Sequence, residues 1–325
     1  MPLNPSSKIY IAGHRGLVGG AIHKLLKEKN FSHLICRSKE ELDLREQKAV
    51  FSFFEKERPE YVVLAAAKVG GIHANQTYPA HFIYDNLAIQ QHVIHAAYLY
   101  GVKRLIFLGS ACIYPRETLH PIQEHELLSG PLEATNEAYA IAKIAGFKLC
   151  ESYYKQYGCD FLGLMPTNLY GPGDNFSIEQ GHVIPGLMRK FQEAKEGLQE
   201  KVEVWGTGEP LREFLHSEDM ADAIFFLLQQ EKLPRLINVG SGIEISIKEL
   251  AQLIKKIVGY GGDIFFNENK PNGVSRRCLD NSILRSLGWE SKIPLEKGLT
   301  DTYQWFLHQQ KEGQRVRGHS DLGSE

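Results

Sequence analysis

The chain has 325 residues, of which 43% are hydrophobic, with 37 lysines and arginines against 39 aspartates and glutamates, a net charge of −2. That is the profile of a soluble globular protein, without the basic bias of a nucleic-acid binder. No apolar run approaches the roughly 20 residues needed to cross a bilayer.

In chain order, Ile9-Tyr-Ile-Ala12 reads as a short strand and Ala21 to Lys27 has helical spacing. His33 to Cys36 is a second strand, followed by a helix from about Gln47 to Lys56. Tyr61-Val-Val-Leu-Ala-Ala-Ala67 is a continuous apolar run, as expected of a strand covered on both faces. A long helix from Tyr84 to Tyr100 and the strand Arg104-Leu-Ile-Phe-Leu-Gly109 continue the alternation. The helix carrying Tyr139 and the strand Phe161 to Met165 complete it. Alternation of this kind predicts an α/β fold with a Rossmann-type, doubly wound parallel sheet.

Past Gly171 the character changes. A loop cluster, Gly171-Pro-Gly-Asp-Asn175, precedes a predicted helix from Val183 to Glu196, a strand Val202 to Trp205, and helices near 246–258 and 295–309. Leu236 to Gly240 reads as a return to the main sheet. The expected division places 1–172 with a return segment 213–241 in the nucleotide-binding domain, and 173–212 with 242–310 in a smaller, interleaved substrate domain. The polar, Gly-containing residues 311–325 are expected to be disordered. Five scattered cysteines, Cys36, Cys112, Cys150, Cys159 and Cys278, show no metal-type spacing, so no metal site is expected. With an N-terminus lacking a signal-peptide apolar region, they suggest a reducing, cytoplasmic compartment.

The glycines of Gly13-His-Arg-Gly16-Leu-Val-Gly19 follow a strand and open a helix, the context a dinucleotide site requires. Gly13 suits the tight turn, Gly16 the approach of backbone to pyrophosphate, and Gly19 close helix packing. The second strand ends in Cys36-Arg37-Ser38-Lys39, without an acidic residue for a ribose 2′-hydroxyl. Arg37, with Arg15 in the glycine loop, favours a 2′-phosphate, hence NADP. Asp43 comes too late for the ribose and is placed near the adenine.

Tyr139-Ala-Ile-Ala-Lys143 puts a phenol and an ammonium on one helix face, where the Lys is expected to lower the Tyr pKa from about 10. Ser110 ends a strand at the carboxyl edge of the sheet, where it can bond a substrate carbonyl. Cys112 lies two residues on, and its thiol points the same way as Ser110 if the backbone is extended. His182, in Gly181-His-Val-Ile-Pro185, is by itself an ordinary loop histidine.

These stretches, with Leu64-Ala-Ala-Ala-Lys-Val-Gly-Gly71, Gly109-Ser-Ala-Cys-Ile-Tyr-Pro115, Met165-Pro-Thr-Asn-Leu-Tyr-Gly-Pro172 and Arg212-Glu-Phe-Leu-His216, resemble the GDP-L-fucose synthase family of extended short-chain dehydrogenase/reductases. The glycine loop and Tyr-x-x-x-Lys are common to the superfamily, whereas Ser-x-Cys-Ile-Tyr-Pro with His-Val-Ile-Pro is far more specific. Residues 311–325 match nothing in the resemblance, and position 111 is Ala where Ser is common.

The resemblance implies a reductase triad of Ser110, Tyr139 and Lys143, with Cys112 and His182 as the acid/base pair of an epimerisation. It also implies NADP contacts along Gly13, His14, Arg15, Gly16, Leu17, Val18 and Gly19, at Arg37 and Lys68, and along Leu108, Gly109, Ser110 and Ala111. Tyr139, Lys143, Pro166, Thr167, Asn168, Leu169 and His182 complete that set. Val183, Leu187, Lys190, Trp205 and Arg212 fall at GDP-sugar positions, and a homodimer through a helix bundle is expected. The implied reaction is NADPH-dependent 3,5-epimerisation and 4-reduction of GDP-4-keto-6-deoxy-D-mannose. A 4-epimerase would prefer an acidic residue at Arg37, and a 4,6-dehydratase an acidic pair where Ala111 and Cys112 stand. The sequence leaves open which of Cys112 and His182 is the base; by analogy the cysteine is favoured.

Overall fold

The computed structural model of the protein describes residues 3–178, 181–270, 272–313 and 316–318. The chain runs β1 (Ile9–Ala12), α1 (Leu17–Glu28), β2 (Leu34–Ile35), α2 (Gln47–Glu57), β3 (Tyr61–Leu64), α3 (Ile72–Thr77), α4 (Pro79–Leu99), β4 (Arg104–Leu108), α5 (Glu137–Tyr157), β5 (Phe161–Pro166) and β6 (Asn168–Tyr170). It continues through α6 (Val183–Glu196), β7 (Lys201–Trp205), β8 (Leu211–His216), α7 (Ser217–Leu228), β9 (Leu236–Val239), β10 (Glu244–Ser246), α8 (Ile247–Val258), β11 (Asp263–Asn267), β12 (Arg276–Arg277), α9 (Ser282–Ser286) and α10 (Leu295–Lys311).

Six of these strands form one parallel sheet in the order β2-β1-β3-β4-β5-β9. The two-residue side-chain period explains its layering. Tyr10 and Ala12, Val62 and Leu64, and Leu105 and Phe107 enter one core, against α2, α4 and α5. Ile9 and Ile11, Tyr61 and Val63, and Ile106 and Leu108 enter the opposite one, against α1 and α7. Covered on both faces, these strands are the uninterrupted apolar runs seen in the sequence.

A third core joins α6, α8 and α10 to β7 and β8, with Phe191, Ile254 and Phe306 fully buried. Around it β8 pairs with β10, β12 and β6, and β7 pairs with β11. Strands β6, β8, β10, β11 and β12 and helices α3, α7 and α9 were not legible in the chain. The strands' alternation is short or mixed, and what defines them is pairing with distant partners.

The end of the chain departs from the expected disorder. Lys311 still belongs to α10, and Val316 is only 2% exposed, inside the third core. The Phe176 N–H donates to the Arg317 carbonyl at 2.8 Å, so this backbone is anchored as well. Residues 314, 315 and 319–325 lie outside the described residues.

Among the described residues, no helix is long and apolar enough to cross a membrane.

Candidate active site

Strand order reverses about β1, whose neighbours β2 and β3 lead off to opposite sides, and crevices at such a point receive ligands. A cavity of about 1650 Å³ opens there, along the carboxyl ends of β1, β3, β4 and β5. Its floor is the glycine loop. Gly13 has φ +88°, and a Cβ on it would lie 2.7 Å from the Ala66 nitrogen after β3. A Cβ on Gly19 would lie 2.0 Å from the Gly13 carbonyl, so α1 can close on the loop only through a glycine. Helix α1 begins without a side-chain cap and without an acidic residue in its first turn, leaving its amides and positive dipole end open to an anion. The His14 Nδ1, Asn75 Oδ1, Asn136 Oδ1 and Asp174 Oδ2 atoms, all from cavity-lining residues, are buried without a partner among the described residues. A glycine cradle with unpartnered polar atoms around it fits a dinucleotide.

Every expected cofactor residue lines this cavity: Gly13 to Gly19, Arg37, Lys68, Leu108 to Ala111, Tyr139, Lys143, Pro166 to Leu169 and His182. So do Cys112 and Arg212. At its far end the Arg15 side chain is 72% exposed, with Glu40 at 3.7 Å, while Arg37 is held at 2.8 Å by Glu57. Of the two guanidiniums, Arg15 is therefore the freer to meet an anion. Asp43 lines the cavity too, but its carboxylate is taken by Arg45, which pulls its pKa down to about 2.

Val183, Leu187, Lys190 and Trp205 do not line the cavity. Val183 and Leu187 pack into the third core, Leu187 at 5% exposure. Lys190 Nζ donates to the Glu203 carbonyl and lies 5.8 Å from the Trp205 ring centre, with Lys270 Nζ at 5.2 Å from the same ring.

The strand β4 delivers Ser110 to the cavity, and α5 crosses above it with Tyr139 and Lys143. After Ser110 the chain is not extended. Ala111–Ile113 form a single 3₁₀ turn capped by the Ser110 side chain, whose Oγ accepts from the Cys112 N–H at 3.4 Å. The turn achieves what extension would have done: Cys112 Sγ lies 3.0 Å from Ser110 Oγ and donates to it.

Lys143 is 3% exposed and donates from Nζ to the Leu108 carbonyl at 2.8 Å. Burial brings its ammonium down to about 8, against a smaller upward pull from Cys112. The expected lowering of the Tyr139 pKa is not seen. Burial pushes the phenol well above its ordinary value, Cys112 adds to this, and only the hydrogen bond with Ser110 opposes it. The Lys143 Nζ stands 5.7 Å from the Tyr139 ring centre, and at that separation desolvation of the phenolate outweighs the cation. Tyr139 is thus held protonated. Cys112 is raised by burial too, while Ser110, Arg277 and Lys143 pull it towards thiolate.

His182 precedes α6, its side chain 47% exposed, with Nδ1 at 3.9 Å from Oδ1 of the buried Asp174. Burial disfavours the imidazolium, but Asp174 outweighs both burial and Arg317 and leaves the pKa above the ordinary value.

Several residues at the site escaped the sequence reading. Asp174 was visible only as part of a loop cluster. Asn86 is 2% exposed within α4 and exchanges two hydrogen bonds with the Lys68 backbone, at 3.0 and 2.9 Å. A polar residue on the buried face of a helix was the available signal. Arg277, 7% exposed on β12, donates to the Tyr114 and Pro115 carbonyls and is in register with Arg212. Burial and the proximity of Arg277 lower the Arg212 pKa to about 10. No sequence motif marks Arg277.

Comparison with known proteins agrees with this geometry. The family model described as "NAD dependent epimerase/dehydratase family" matches residues 9–240. The chain is 56% identical to "Putative GDP-L-fucose synthase 2" of Arabidopsis thaliana, over 94% of this chain and 93% of that protein. It is 52% identical to "GDP-L-fucose synthase" of Escherichia coli K12, over 96% and 99%. Among solved structures, a GDP-L-fucose synthetase from Naegleria fowleri bound to NADP superposes with a TM-score of 0.88 at 31% identity, over 96% of this chain and 97% of that one. The chain therefore belongs to the NAD-dependent epimerase/dehydratase family, and within it to the GDP-L-fucose synthase group.

Proposed function

We propose that the protein converts GDP-4-keto-6-deoxy-D-mannose to GDP-L-fucose by epimerisation at C3 and C5 and NADPH-dependent reduction at C4. The observation that carries this reading is the convergence of Ser110, Cys112, Tyr139, Lys143 and His182 on the glycine-loop cavity.

The C4 ketone acidifies the C–H bonds on either side of it. Cys112, once ionised, takes a proton from one of those carbons, and His182 returns one to the opposite face. Asp174 favours the protonated form of His182, which suits the acid of the pair. Ser110 and Tyr139 bond the C4 oxygen and stabilise the enolate as an oxyanion site does. Bound NADPH supplies the hydride for the reduction. Tyr139, held protonated by burial, then gives its proton to the C4 alkoxide. Gly13 to Gly19 and the α1 amides would hold the cofactor pyrophosphate, Arg15, with Arg37 beside it, would meet the 2′-phosphate, and Arg212 with Arg277 would meet the substrate diphosphate.

The test follows NADPH absorbance and product stereochemistry with this substrate, in the wild type, Cys112→Ala and Tyr139→Phe. Rapid oxidation yielding GDP-L-fucose supports the reading, with Tyr139→Phe losing reduction and Cys112→Ala losing inversion. An inert wild type sinks it.

We also propose that the chain is a cytoplasmic homodimer, paired through α4 and α5, where Tyr84, Leu99, Ile141, Tyr154 and Tyr157 are exposed. Sedimentation as a monomer at micromolar concentration would count against the dimer.

A further inference from the structure

The segment after α10 returns to the active site. Val316 is buried in the third core, while Arg317 and Gly318 line the cavity beside Asp174, Asn175 and His182. One direct hydrogen bond and an arginine bridge tie it to the loop that follows β6. The Phe176 N–H donates to the Arg317 carbonyl at 2.8 Å, and Arg189 Nη1 on α6 donates both to the Gly318 carbonyl at 2.7 Å and to the Phe176 carbonyl at 3.2 Å. Arg189 is itself braced by Glu193 at 2.6 Å. From the other side, the Phe176 ring stacks on Phe306 of α10 with centres 4.5 Å apart.

Gly318 has φ +78°, and a Cβ there would lie 2.1 Å from Asn175 Oδ1 and 2.4 Å from the Ser177 nitrogen. Only glycine lets the strap lie this close to the loop. The residue before Asn175 is Asp174, whose Oδ1 both accepts from the Asn175 N–H at 2.7 Å and faces His182 at 3.9 Å.

We propose that Val316–Gly318 is a positioning strap that fixes Asp174 against His182, so that residues beyond the last helix set the proton-donating side of the site. The charged groups that act on His182 are then Asp174 from the loop and Arg317 from the strap. Asp174 favours the imidazolium and Arg317 opposes it. The strap thus acts twice on one histidine, through its backbone by holding Asp174 and through its side chain by Arg317. This rests on the epimerase reading for its meaning, but the titration that tests it does not depend on turnover.

The experiment titrates His182 by NMR in the full-length, substrate-free enzyme with labelled histidine, the signal assigned by its loss in His182→Gln. Gly318→Val forces the loop away and is expected to lower the His182 midpoint. Arg317→Gln removes the opposing cation and is expected to raise it. If Gly318→Val does not fold, Gly318→Ala carries the same test with a smaller side chain. Solvent-deuterium incorporation into the substrate is expected to fall about tenfold in the Gly318 variant, the low end for loss of a positioned acid. Midpoints that stay put, or that move in the same direction in the two variants, would overturn the proposal. An NADPH affinity that falls as far as the exchange rate would also overturn it, because the strap would then serve stability alone. A wild type that titrates as described but turns over no substrate would sink the epimerase reading and leave the strap standing.

Discussion

The two sides of the cavity are built differently. On the side proposed for reduction, Ser110, Tyr139 and Lys143 sit at the end of a fully buried strand and on a 21-residue helix packed against the sheet and α4. Nothing there can shift without disturbing the main core. On the side proposed for proton donation, His182 stands half-exposed at the start of α6, with its partner Asp174 on a loop cross-linked by an arginine and a returning strap. One side is positioned by regular structure and the other by cross-links between distant segments. A group that must stay protonated until an alkoxide forms is well served by rigid burial. A group that must give and regain a proton needs water nearby and a movable charge balance.

Substitutions on each side can break or sharpen this contrast. The largest expected effect is on the buried side: Tyr139→Phe should lower the reduction rate by about 10²–10⁴-fold, the usual range for losing a positioned acid. Melting temperature should change little, because the ring remains. Equal losses in reduction and stability would mean that Tyr139 serves the core and not the chemistry.

On the open side, Asp174→Asn should slow epimerisation by roughly ten- to a hundredfold and lower the His182 pKa, as burial and Arg317 then act unopposed. The sign for stability follows from the raised folded-state value. The pair's contribution is complete below pH 6.5 and is lost as pH rises through the folded-state pKa. Urea unfolding of wild type and Asp174→Asn at acid and neutral pH would show their difference shrinking as pH rises. A constant difference would remove the ion pair from the account.

The smallest effect concerns Lys143. Its ammonium is depressed to about 8 in the fold, so above that value the unfolded chain binds the extra proton and stability rises with pH. Between pH 8 and 9 the wild type should gain about 1 kcal/mol relative to Lys143→Met. Measuring that difference matters, because the buried cysteines and Tyr139 pull stability the other way as pH rises. No relative gain would mean that Lys143 is charged and solvated in the cavity.

The sequence by itself determined the parallel sheet, the glycine loop and the Ser110, Tyr139 and Lys143 set. Each is local: an apolar run covered on both faces, a strand–turn–helix with glycines, or two residues one helical turn apart, all specified by spacing along the chain. Tertiary structure decided the rest. The phenol's pKa direction came from burial, which depends on α4, β4 and α5 closing together, so the lysine four residues away was a poor guide to it. The Ser110–Cys112 contact came from a 3₁₀ turn and not from the extended backbone that spacing alone would require for it. Asp174, Arg277 and the Val316–Gly318 strap reach the cavity from segments far apart in the chain. Their polar, irregular stretches carry no periodic signal, and their places are fixed by single hydrogen bonds, buried charges and one glycine's missing Cβ, which exist only once the distant segments meet.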